Sequence, residues 1–328
     1  MDAKTSKILN SLFWALLAVL LLWLSFRGVD WPEFLRVLVA SRWGYVLLAM
    51  AAGVLSFLLR SFRWRLLMLP VDPGIKRIDC YDGFAIGRIC DFAVPHVSNL
   101  VRCGYVLTPR MTYDKALGTV VLERVWDIVM LALITLLLLF FWGERFGAFF
   151  MDKMLRPAAS RLAVNPWLMA LALLGAVLLV CLCIYAVRRS RFRGRVAKFF
   201  RGIVHGFSSF MEMKGKGMFL LLTALLWFSY FLMSWFIIKA LPMDFGFTAV
   251  DALFIMLVGA LAGIVPVPGG FGAFHYIVAL ALQTLYAIPF DTGLIFATLS
   301  HESQAVVLIV CGLLAYAHQA YKRNRRKS

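Results

Sequence analysis

The chain has 328 residues, 62% of them hydrophobic and 16% charged, with a mean hydropathy of +0.84. A soluble domain is nearer half apolar and a quarter charged, so the composition excludes a soluble enzyme and predicts an integral membrane protein. The formal net charge of +17 does not indicate nucleic acid, because the basic residues flank apolar runs as the cytoplasmic ends of membrane helices do.

About 20 apolar residues span a bilayer as a helix. Lys4 and Lys7 precede an uncharged run over 8–26. That run is long for a signal-peptide core and no small-x-small cleavage site follows, so it reads as the first span. Further spans are predicted over 43–62, 116–142, 166–187, 218–238 and 292–317. In the loop 188–217, "RRSRFRGRVAKFFRG" with Lys214 and Lys216 sets nine basic residues against the single Glu212, and the tail "KRNRRKS" adds five. Both are cytoplasmic by the positive-inside rule. Alternating the spans from there brings Lys4, Lys7 and the end of span two with Arg60, Arg63 and Arg65 to the same side.

Two apolar segments do not fit as ordinary spans. One covers about 80–107 and is broken at Val94-Pro95; the other covers about 252–289 and is broken at Val265-Pro266. Each has to begin and end on one side of the membrane, and each has arms shorter than a span. Short, Pro/Gly-interrupted apolar segments are the sequence form of re-entrant or broken helical hairpins. Their surroundings match with opposite sense, which predicts an inverted repeat, approximately 43–142 and 218–317, within one polytopic membrane domain over 1–328. Two full spans across 252–289 would leave the same end topology. The predicted fold class is therefore all-α membrane protein, with about six spanning helices and two hairpins.

Charged residues inside apolar segments mark the candidate chemistry. In span three, Glu123, Arg124 and Asp127 lie two to three turns in, with Arg124 able to reach Asp127 three residues on. Such charges face the protein interior or a wet cavity. A buried ion pair holding hairpin to helix and a substrate or proton path both fit. In span six, "LSHESQAVV" sets His301 and Gln304 on one face while Glu302 points elsewhere. A zinc-protease motif would need a second His four residues after His301, where Ala305 stands. The first hairpin holds Arg88, Asp91, His96, Asn99 and Arg102. Arg88 and Asp91 are positioned to neutralise each other, and Arg102 to meet an anionic head group bidentately. In the second hairpin, Pro266 and Pro268 keep the helix broken, while Gly269 and Gly270 allow close backbone approach. The six cysteines show neither CxxC nor metal-ligand spacing and read as small hydrophobes. No metal site and no cofactor are expected. No nucleophile motif, nucleotide loop or catalytic carboxylate pair appears, so covalent catalysis is not expected either.

"VLERVWD" at 121–127 and "GIVPVPGGFGAF" at 263–274 carry a resemblance. The chain resembles the transmembrane region of lysylphosphatidylglycerol synthases, the flippase-like family, over roughly 10–320. That family includes stand-alone bacterial membrane proteins and archaeal glycosylation proteins. Its first hairpin carries N-x-x-x-P-R-x-G-E-x-x-R, where this chain reads "DFAVPHVSNLVR". Pro95 and Arg102 match, but Asp91, His96, Ser98 and Asn99 stand where Asn, Arg, Gly and Glu are usual. The family's usual head group is therefore not carried over. The resemblance implies movement between leaflets of an anionic phospholipid or a polyprenol-linked lipid, in a bacterial cytoplasmic membrane with both termini inside. The sequence ends at Ser328 after span six, without an aminoacyl-transferase domain, so lysyl transfer is not expected. The expected slot is lined by His96, Asn99, Arg102, Glu123, Asp127 and His301. A non-transporting scaffold for a lipid- or glycan-modifying transferase is the alternative, and a homo-oligomer stays open.

Overall fold

Every long uninterrupted apolar run among the described residues forms one helix, and each Val-Pro pair falls in sequence between the two helices of its hairpin. The computed structural model describes residues 29–92, 94–149, 210–265 and 267–325, with Met151 and some positions between 16 and 27. The predicted spans 8–26 and 166–187, and most of the loop 188–217, lie outside the described residues or are only sparsely covered. Helix is the regular structure throughout the described part, and the chain is a multi-pass membrane protein. In order come α1 (Trp31–Ala40), α2 (Trp43–Met68), α3 (Arg77–Cys90), the single turn α4 (Ser98–Val101) and α5 (Tyr113–Phe149). There follow α6 (Lys216–Ala240), α7 (Ala249–Ala262), α8 (Ala273–Tyr286) and α9 (Phe290–Arg325).

Helices α2, α5, α6 and α9 are long and apolar enough to cross a membrane, and they correspond to four of the predicted spans. Each outruns its predicted limits. Helix α9 continues into the basic tail, and α5 reaches Phe149 through a non-helical Trp142. Helix α1 was not expected from apolar length, being only 10 residues long. It is amphipathic: Phe34 and Val37 are buried while Trp31, Leu35 and Val39 are exposed, and Asp30 accepts from the Glu33 N–H at its start.

The two halves are fixed by one antiparallel pair. At one end of α2, the Arg42 N–H donates to the Ala240 carbonyl at the end of α6, at 2.7 Å. At the other end, Leu67 packs with Phe219. Hairpin one, made by α3 and α4, leaves from the Met68 end. Hairpin two, made by α7 and α8, leaves from the Ala240 end. They therefore enter from opposite ends of the α2–α6 pair.

Acidic residues fasten each hairpin's mouth. Asp82 on α3 takes His318 and Gln319 of α9, both at 2.6 Å, and Asp79 pairs with Lys322. Across the molecule, Asp251 forms a capping box with Thr248 at the start of α7. Its carboxylate also accepts from Tyr286 of α8 at 2.8 Å and pairs with Arg145 of α5 at 2.8 Å.

Helices α7 and α8 have 14 residues each, roughly 21 Å at ~1.5 Å per residue. A hydrocarbon core is about 30 Å thick, so neither arm crosses it. Arms of this length are what a re-entrant hairpin uses. Its break, residues 263–272, reaches the break of hairpin one: the Gly269 N–H donates to the Asp91 carbonyl at 3.0 Å, and the rings of Phe92 and Phe271 lie 5.6 Å apart. Irregular backbone at membrane depth survives when its polar groups are satisfied inside the protein; here the Asp91 carbonyl is satisfied by hairpin two and the Gly269 carbonyl by His301 of α9.

Candidate functional site

Helix α2 carries Arg60 and Arg63 in its second half and α5 carries Glu123 and Asp127 about three turns in, and packing the helices side by side brings those charges together. Arg60 and Arg63 are one turn apart on α2, so both face the Glu123–Asp127 stripe of α5. Arg60 Nε donates to Glu123 Oε1 at 3.0 Å, and its Nη2 reaches Asp127. Arg63 Nη2 lies 3.1 Å from Glu123 and 2.5 Å from Asp127. From hairpin one, Arg102 approaches the second Glu123 oxygen at 2.6 Å, as an ion pair rather than an aligned hydrogen bond, and stacks over Trp64 at 4.6 Å. Arg124 is the outermost member, 3.3 Å from Asp127 and 3.9 Å from Glu123.

Four guanidinium groups thus surround two carboxylates. Arginine keeps its proton in any protein setting, so the cluster carries two excess positive charges. Glu123, Arg63 and Arg102 are essentially inaccessible, at 0%, 0% and 1% exposure. Arg60 and Arg124, by contrast, line a cavity of about 630 Å³.

That cavity is amphipathic by construction. Hairpin one and its neighbours contribute Arg88, His96, Asn99 and Asp127 to the wall. Hairpin two and α6 contribute Trp227, Ile255, Met256, Ile264 and Phe274, together with Tyr230 and Ser234. Helix α9 closes it with His301 and Gln304. At ~1.5 Å per residue, His301 lies roughly 16 Å from the start of α9 at Phe290, near mid-membrane depth. His96 is held at φ 60°, a left-handed value uncommon outside glycine. Asp91 organises the turn around it. Its carboxylate accepts from the Ser98 N–H at 2.8 Å and from Arg88 at 3.0 Å.

Of the residues expected from sequence, His96, Asn99, Arg124, Asp127 and His301 line the cavity, while Glu123 and Arg102 lie behind its wall and hold it. Pro266 lies outside the described residues. Pro268, Gly269 and Gly270 do not line this cavity. They form the tip contact instead, where Gly269 (φ 62°) lies under Phe92 and Phe271, and Gly270 (φ 80°) faces His301. The close approach those glycines permit is protein against protein.

Arg124 reaches Asp127 as the spacing predicts, but Arg60 and Arg63 hold the same carboxylate from α2. One expectation is corrected. Glu302 does not point away from His301: its Oε1 lies 3.1 Å from His301 Nδ1 and 3.4 Å from Nε2 of His275 on α8. Arg60 and Arg63 were legible only as topology signals, since a basic turn at a helix end satisfies the positive-inside rule whatever else it does.

No curated protein and no solved structure matches the chain. The sequence model of the lysylphosphatidylglycerol synthase transmembrane region matches residues 11–312, nearly its whole length, and the chain belongs to that family.

Proposed function

We propose that the cavity receives the anionic head group of a membrane lipid and that the protein moves this lipid between leaflets, without covalent chemistry. The observation that carries the proposal is a charge cluster with two excess guanidinium charges whose outer members, Arg60 and Arg124, line an amphipathic cavity. Uncompensated charge in that setting costs several kcal/mol on insertion scales, and an anionic ligand removes the cost. The apolar walls from hairpin two suit the glycerol or acyl region of the same molecule. Translocation would need the hairpin tips to part, and among the described residues they meet through a backbone hydrogen bond and the Phe92–Phe271 ring contact. We place both termini on the cytoplasmic side of a bacterial inner membrane, because the basic loop 188–217 and the basic tail both belong there.

Reconstitution tests this directly. Liposomes carrying labelled phosphatidylglycerol or labelled phosphatidylcholine should show protein-dependent movement of the anionic lipid in preference to the zwitterionic one. Arg88→Gln and Arg124→Gln, both on the cavity wall, should lower that flux tenfold or more, since a charge-assisted contact is worth about 1.5–3 kcal/mol. Folded protein that moves no lipid would overturn transport and favour a scaffold.

A further inference from the structure

Helices α8 and α9 carry a group of donor atoms of which only His301 belongs to the cavity wall. His275 of α8 is buried at 1% exposure, and its Nδ1 has no hydrogen-bond partner among the described residues. The ring's polar contact is through Nε2, toward Glu302 Oε1 at 3.4 Å. His301 Nδ1 reaches the same oxygen at 3.1 Å. Nitrogen, nitrogen and oxygen all lie within 4.8 Å of one another.

The tautomer of His301 is fixed from its other side. Nε2 lies 2.9 Å from the Gly269 carbonyl oxygen. A carbonyl only accepts, so Nε2 carries the proton and donates it. In the neutral ring, Nδ1 is then a bare lone pair aimed at a carboxylate oxygen. Two acceptors at 3.1 Å repel unless a positive species lies between them. His275 brings a third donor atom to the same place.

We propose that His275 Nε2, His301 Nδ1 and Glu302 Oε1 bind a divalent transition metal of the zinc class. Tetrahedral zinc with bonds of about 2.0–2.1 Å holds its ligand atoms about 3.3 Å apart. Two of the three edges, 3.1 and 3.4 Å, lie on either side of that value, and the third is within 4.8 Å, a distance that a small rotation of the His301 or His275 ring would close. Imidazole with carboxylate suits zinc and its neighbours, whereas magnesium and calcium take oxygen ligands. The Gly269 carbonyl supplies the outer partner that metal-bound histidines usually have, fixing ring orientation and tautomer. Three protein ligands leave a fourth position for water. The ion joins α8 to α9 and, through His301, orients the carbonyl at the tip of hairpin two. None of this depends on what the cavity binds.

The test uses full-length protein purified without a polyhistidine tag, stripped with chelator and dialysed against Zn²⁺ or Co²⁺. Elemental analysis should find one metal per chain, and the cobalt form should show the visible bands of a four-coordinate site. Zn²⁺ should raise the melting temperature by mass action. Glu302→Gln, at a half-exposed position, should abolish binding and the thermal shift, as should His275→Gln. His318→Gln, on the distant Asp82 contact, should change neither. Wild-type protein that takes up no metal above background would overturn the proposal and leave a proton between the two acceptors. Full binding retained by Glu302→Gln would overturn it equally, by placing the ion elsewhere.

Discussion

The backbone N–H of Gly269 donates to the backbone carbonyl of Asp91 at 3.0 Å, and this bond joins the tips of two hairpins that enter from opposite ends of the α2–α6 pair. Gly269 has φ 62°, and a Cβ there would lie 2.7 Å from ring atoms of both Phe92 and Phe271. Gly269→Ala should therefore lose about 1–2 kcal/mol to backbone conformation, with a steric loss added. Gly270→Ala, at φ 80° but facing only His301 at 3.4 Å, should lose the backbone part alone. Melting of detergent-solubilised protein checks the order. In a double-mutant cycle, Phe92→Ala should relieve part of the Gly269→Ala loss. Strict additivity would mean that the rings yield freely.

The charge cluster should respond unequally at its two levels. Glu123→Gln removes the carboxylate at which Arg60, Arg63 and Arg102 converge, leaving buried Arg102 without a carboxylate and the other arginines sharing Asp127. A loss of about 3–5 kcal/mol is expected, as for other broken buried pairs. Arg124→Ala should lose about 1 kcal/mol or less, because its side chain is 39% exposed and both carboxylates keep other partners. Sequence spacing alone suggests the reverse order. Denaturant titration in mixed micelles compares the two.

Outside the spans, Asp72 joins the loop after α2 to the loop before α5. The Thr108 hydroxyl donates to it at 2.6 Å and the Gly74 N–H at 2.8 Å. The Thr108 bond first, and the Gly74 bond second, hold its carboxyl below the ordinary aspartate value. A depressed folded-state pKa gives stability that is present above the unfolded value of about 3.9 and is lost as pH falls through the folded one. Stability measured from neutral pH downward should fall below about pH 4, and Asp72→Asn should flatten that part of the profile. An unchanged slope in the variant would assign the acid sensitivity elsewhere.

Hairpin orientation has its own test in a cysteine-free background. Cysteines at Asp244 and Asp291, near the mouth of hairpin two, should label from one side of sealed vesicles. Cysteines at Lys76 and Arg110, near the mouth of hairpin one, should label from the other. Labelling of all four from one side would contradict the opposed entry.

The hairpins were legible because proline and glycine announce a broken helix in an apolar run, and hydrocarbon makes such breaks rare. Val94-Pro95 and Val265-Pro266 were visible for that reason. The contact between the tips was not, since nothing in either segment encodes its register against the other. His275 was hidden differently. On one apolar 14-residue helix it resembles any buried ring, and its relation to Glu302 exists only once α8 lies on α9. Arg60 and Arg63 carried two signals at once, and the topological one masked the electrostatic one.

The joined tips also impose a timetable on synthesis. Helix α2, hairpin one and α5 are complete by Phe149, so the ion cluster around Glu123 can close while the second half is still being made. The Asp91 carbonyl must wait for Gly269, about 180 residues later, roughly 9 to 36 seconds at ~5–20 residues per second. Throughout that interval a polar backbone group stands at membrane depth with its final partner not yet translated. The register between the hairpins is therefore set only after the second one is made.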